Sequence, residues 1–218
     1  MYFCNLIPIP MKKVLIICMV TFAFGLMTAC NNTNNTNQTP TEEGKETPQE
    51  IVYNDKIQNV FFGVSLGASK KEVVDGFLKQ GFYENSYSTD SRLVFEKKSS
   101  RYAIPAEFYS FGGMNWKFLN VYLSNDHFQS IEFANPHKTK TSALESFNQV
   151  LSAVSAKYNL YEKPSSDTSL YKRYIGETVD KQWVMVSCYS YESVSYERWY
   201  GVALVYGDNK FVDVSDEL

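Results

Sequence analysis

The chain has 218 residues, with 21 Lys and Arg against 24 Asp and Glu, a net charge of −3. A mildly acidic balance of this kind offers no electrostatic footprint for nucleic acid. The histidines, His127 and His137, stand ten residues apart and far from Cys188, which excludes a ligand cluster at metal-binding spacing.

Residues 1–10, with Pro8 and Pro10, read as sequence upstream of the natural start at Met11. Residues 11–29 have the anatomy of a signal peptide. Lys12 and Lys13 form a positive start, and Val14 to Met27 is an uncharged apolar stretch of 14 residues. That stretch is short of the roughly 20 residues that span a bilayer. Thr28 and Ala29 are small, as a cleavage site requires. The ending Leu26-Met27-Thr28-Ala29-Cys30 resembles the lipobox of bacterial lipoproteins, with Met27 where that family usually has Leu. The resemblance implies cleavage before Cys30 and acyl chains on its thiol, and two or more chains make a stable membrane anchor.

Loss of Lys12 and Lys13 leaves 19 basic residues against 24 acidic, a balance of −5. Cys4 and Cys18 depart with the signal and Cys30 is lipidated, so Cys188 remains without a partner for an internal disulfide. Residues 30–50 form the anchor and a polar tether whose only apolar side chains after Cys30 are two prolines. Such a stretch buries too little to offset its ordering entropy, and its coil reaches about 25 Å. Residues 51–218 read as one domain, with approximate halves at 58–135 and 136–212.

In that domain Ser69 and Glu72 form a capping box ahead of Val73, Val74, Phe77 and Leu78 at helical spacing, with Gly81 as the stop. Strands are expected at 92–97, 106–111, 116–123 and 128–133, with Gly112-Gly113 and Asn125-Asp126 as hairpin turns. A second helix is expected from about Thr141 to Tyr158, with Ser142 and Glu145 as its capping box and Leu144, Phe147, Leu151, Val154 and Tyr158 in one stripe. Strands follow at 169–175, 182–191 and 196–206, and Gly207-Asp208-Asn209 reads as a terminal turn. This order predicts an α+β fold, an antiparallel sheet with helices packed on one face, in two tandem helix-plus-strands units.

The run Phe61-Phe62-Gly63-Val64-Ser65-Leu66-Gly67-Ala68-Ser69-Lys70-Lys71-Glu72-Val73, followed by Leu78-Lys79-Gln80-Gly81-Phe82, resembles a motif of Bacteroides-type envelope lipoproteins. Tyr158, Trp183 and the 200–208 segment resemble the second half of that group, so the likeness covers about residues 58–208. The repeated helix-then-strands order is also similar to the β-lactamase-inhibitor-protein fold and to small outer-membrane assembly lipoproteins. These resemblances imply a binding role and bring no catalytic residues.

The residues themselves point away from catalysis. Cys188 alternates with Val184 and Val186 and reads as a small buried hydrophobe. Gly63-x-x-x-Gly67 lacks the Gly-Lys-Ser/Thr ending of a phosphate loop, and no nucleophile elbow or dinucleotide fingerprint occurs. No cofactor or metal is expected, and a non-enzymatic role is the favoured reading, with an enzyme whose site lacks a recognisable motif as a further alternative. The lead is strand alternation. Trp183, Met185, Tyr189 and Tyr191 share one strand face, Trp116, Phe118 and Tyr122 another, and Arg198 and Tyr200 are expected to join them. If helices cover only the opposite face, these residues form an aromatic binding surface for a protein or peptide partner, or for a glycan. The alternative is a second core or sheet-stabilising duty. Asn31 after the lipidated cysteine, with no acidic run following it, favours an outer-membrane anchor facing the periplasm.

Overall fold

Turn chemistry sets the strand boundaries. A computed structural model describes residues 51–98, 108–193 and 195–211. The expected signal peptide, Cys30, the tether and the start of the strand at 106–111 lie outside these residues. A short hairpin, β1 (Val60–Phe61) and β2 (Val64–Ser65), turns at Phe62 and Gly63, both at positive φ. Helix α1 (Lys70–Lys79) starts on the expected box: the Ser69 hydroxyl accepts from the Glu72 amide, and the Glu72 carboxylate accepts from the Ser69 amide. Gly81, at φ 78°, follows its end, the left-handed position that glycine occupies without Cβ strain.

Strands β3 (Phe82–Glu84) and β4 (Arg92–Lys97) lead to a second small hairpin, β5 (Tyr109–Phe111) and β6 (Met114–Trp116), which turns at Gly112-Gly113. Strands β7 (Phe118–Ser124) and β8 (His127–His137) join at Asn125-Asp126, both residues at positive φ as a primed turn requires. Helix α2 (Lys140–Ser155) follows. Strands β9 (Tyr161–Glu162), β10 (Leu170–Glu177), β11 (Gln182–Glu192) and β12 (Arg198–Asp208) complete the chain, before a turn of 3₁₀ helix at Asn209–Phe211.

The expected α+β class with tandem units is corrected. Among the described residues strand takes 47% and helix 19%, the latter in two α-helices and one 3₁₀ turn. Eight strands form one antiparallel sheet in the order β3-β4-β7-β8-β12-β11-β10-β9. The physical reason is the junction of β8 with β12. It runs from Tyr200↔His137 to Gly207↔Ser130, so the two halves share one continuous hydrogen-bonded ladder and are not separate units. The β-branched and aromatic alternation outweighs two short helical stretches.

One face of this sheet carries the core. Val73 and Phe77 of α1 and Phe147, Val150 and Val154 of α2 pack with Leu93, Phe95, Leu119, Val121, Phe133, Val184, Val186, Cys188, Val202 and Leu204. Both small hairpins add to the same side: Phe111 stacks on Phe133 at 4.0 Å, and Phe61 lies 5.1 Å from the Tyr206 ring. Full burial of each such side chain contributes roughly 1.5–3 kcal/mol. Among the described residues, therefore, both helices and both hairpins cover the same face, and the other face carries none of them.

Candidate functional site

Register decides which aromatics reach the uncovered face. Strand β11 presents Val184, Val186 and Cys188 to the core and Trp183, Met185, Tyr189 and Tyr191 to the opposite side. Trp183 is paired with Gly207, and Tyr189 with Gly201. A Cβ built on Gly207 would meet the Trp183 ring at 2.4 Å, and one on Gly201 would meet the Tyr189 ring at 2.4 Å. Each ring thus lies across the backbone of β12 in the space a side chain would fill. Trp183, Met185 and Tyr189 pack here with Ala134, Ala203 and Val205 as a small second cluster. The Trp183 indole N–H donates to Asn209 Oδ1 at 2.9 Å.

Across the sheet, Phe118 is paired with Ala134 and is 42% exposed, and Tyr191 is 38% exposed. Tyr122 is half-buried and its hydroxyl donates to Glu132 Oε2 at 2.8 Å, while Asn120 Nδ2 donates to the same oxygen at 2.9 Å. Burial, followed by the negative charge of Glu132, raises the phenol pKa of both Tyr122 and Tyr189. The face carries further tyrosine–carboxylate pairs, Tyr83 with Glu96 and Tyr161 with Glu177.

Three of the expected site residues lie elsewhere. Trp116 is fully buried on the core side, 5.9 Å from Phe133, with its indole N–H donating to Phe111 O. The expected strand 116–123 breaks at Lys117, whose amide donates to the Asn135 side chain; Asn135 Nδ2 in turn donates to Asn115 O. Trp116 therefore belongs to the β5–β6 hairpin and not to the sheet. Tyr200 also faces the core side, where it stacks on Tyr171 at 6.0 Å. Its partner across β11 is Ser190, whereas Trp199 is the residue opposite Tyr191. Arg198 has the parity of Tyr200 and stands exposed at the start of β12.

Glu132, Asn120, Trp199 and the two glycines were missed by residue-type reasoning. Gly201 and Gly207 are spaced by six residues, as are Trp183 and Tyr189, so a fixed hairpin register would have exposed the pairing. Beyond Trp183 a cleft of about 310 Å³ opens between Tyr53, Glu177, Gln182 and Asn209.

The nucleophilic alternatives do not assemble. Cys188 pairs with Val202, and Val202 with Asn135. His137 lies farther along β8, opposite Tyr200. One strand therefore separates the thiol from the imidazole, roughly 10 Å at ordinary strand spacing. Burial raises the Cys188 pKa, which keeps the thiol protonated. His127 is exposed at its turn, with Nδ1 2.7 Å from Asn125 O. Among the described residues no group of three or more His, Cys, Asp or Glu is placed to hold a metal, and no helix is long and apolar enough to cross a membrane. No protein-family model, curated protein or solved structure matches the chain.

Proposed function

We propose that this protein is a lipid-anchored binding module of the bacterial cell envelope. Cys30 carries the anchor, residues 31–50 form the tether, and the uncovered sheet face takes a protein or peptide partner without catalysis. The anchor faces the periplasm from the outer membrane. The reading rests above all on one observation: both helices and both hairpins pack on one side, while Phe118, Tyr122, Trp183, Met185, Tyr189 and Tyr191 share the other. Aromatics of this kind bury large area at low entropic cost when a partner docks. Phe118 and Tyr191 are the cleanest probes because both are exposed. The double variant Phe118→Ser, Tyr191→Ser is expected to keep the wild-type melting temperature and to lose most crosslinked partner in a pull-down from native envelopes. Unchanged capture by the folded variant would falsify the reading.

A second reading, glycan binding, is favoured by the cleft beside Trp183. An indole face flanked by Glu177, Gln182 and Asn209 suits a hydroxyl-bearing ring. Oligosaccharides that bind there should quench Trp183 fluorescence and leave the buried Trp116 unaffected.

A further inference from the structure

The uncovered face holds a carboxylate that no cation among the described residues pairs with. Glu132 stands mid-sheet on β8, half-buried, with Asn120 across from it on one neighbouring strand and Val205 on the other. Its two hydrogen-bond donors, Asn120 and Tyr122, are both neutral. Ion pairs among the described residues join Lys70 to Asp90 and Lys71 to Asp75, and neither involves Glu132. Other cations share the face, and among the described residues none is ion-paired with Glu132. Arg92 lies opposite Tyr122 on β4, Lys138 sits 5.3 Å from the Trp199 ring centre, and Arg173 is bonded to the carbonyls of Lys163 and Pro164. The Tyr122 and Tyr189 hydroxyls both feel the Glu132 charge. Small residues, Ala134 and Ala203, form the floor beside it.

We propose that the occupant of this face is a peptide segment of a protein partner that presents a lysine or arginine side chain to Glu132, between Tyr122 and Tyr189. The inference rests on the reading of the face as a docking surface and names what must dock there. Any cover strips water from Glu132. A neutral cover would leave a buried charge with only neutral hydrogen bonds, which is strongly unfavourable. A basic side chain restores the lost solvation with a charge-assisted hydrogen bond and can use the tyrosine ring faces as well. Sugar hydroxyls would replace only the hydrogen bonds of water and not supply the charge.

The test is a selection of phage-displayed dodecapeptides on the immobilised full chain, repeated on Glu132→Gln and on Phe118→Ser, Tyr191→Ser. The expected result is a set of peptides lost on the double variant and enriched several-fold in Lys or Arg. A selected peptide should bind Glu132→Gln at least tenfold more weakly. The same loss should follow when its basic residue is replaced by norleucine, a change that leaves the protein untouched. Glutamine keeps an acceptor for Asn120 and Tyr122, so an unchanged melting temperature is expected for that variant. Face-dependent peptides that lack a basic residue, or that bind Glu132→Gln equally well, overturn the inference while the docking face stands. Peptides indifferent to the double variant, or capture of oligosaccharides alone, overturn both.

Discussion

Trp183 and Tyr189 lie flat because the strand beside them offers glycine. At Gly207 and Gly201 no side chain competes for the space above β12, so each ring covers backbone that water would otherwise reach. The same rings then supply area to a docking surface, and the structural and binding roles are not exclusive. Gly207→Ala is expected to push the Trp183 ring off the sheet. Overpacking of this sort costs about 1–3 kcal/mol, which urea unfolding would register, along with a red shift of native tryptophan emission. Gly201→Ala should destabilise similarly without the emission change, because its ring partner is a tyrosine. At Cys188 the alternation read from sequence and the structure coincide: the thiol is fully buried among Val184, Val186 and Val202.

At the scale of elements, the two helices differ in how openly they declare their starts. The Ser69–Glu72 box is complete in the structure. Helix α2 instead begins one residue after Thr139, whose hydroxyl accepts from the Ser142 amide, so Ser142 stands inside the first turn and Glu145 completes no box. Ser69→Ala and Thr139→Ala should each cost about 1 kcal/mol in urea melts, as lost N-caps do, and Ser142→Ala distinctly less. Glu72 adds a pH signature. Hydrogen bonds from the Ser69 hydroxyl and then its amide hold the Glu72 pKa below the ordinary value. A depressed carboxyl pKa contributes stability that is present above the unfolded value and lost as pH falls through the folded one. The Ser69→Ala penalty should therefore shrink in acid. The β5–β6 hairpin teaches a different lesson. Lys117 and Asn135 break an unbroken run of strand-forming residues into two elements, one in the hairpin packed on the core face and one within the sheet itself.

Across the whole molecule, tyrosines link stability to alkaline pH. Hydrogen bonding to Glu96 pushes the Tyr83 pKa up to about 12, and burial followed by hydrogen bonding to Glu177 does the same for Tyr161. Burial raises Tyr109, Tyr122, Tyr189 and Tyr206 as well. A phenol whose folded pKa exceeds its unfolded value of about 10 contributes stability that is complete below that value and is lost as pH rises through the folded one. Stability should therefore be flat near neutrality and fall above about pH 10. Absorbance at 295 nm should show a group of phenols that ionise only as the protein unfolds. Their gradual titration from a still-folded protein would contradict the packing described.

Local chemistry was legible in the sequence because it depends on near neighbours. The capping box at Ser69, the Gly112-Gly113 and Asn125-Asp126 turns, the stop at Gly81 and the alternation of β11 each need only a few adjacent residues. Strands β1, β2, β3 and β9 went unseen, being two or three residues long and therefore without measurable periodicity. The class of the fold and the membership of the site were decided by tertiary structure. The pairing of β8 with β12 merges two apparent units into one sheet. Register, not residue type, places Trp199 rather than Tyr200 opposite Tyr191, and a long-range asparagine removes Trp116 from the sheet. Glu132 looks like any glutamate on an alternating strand until β7 and β11 set tyrosines beside it. Strand periodicity tells which residues share a face, but only the contacts among distant strands tell which face is covered.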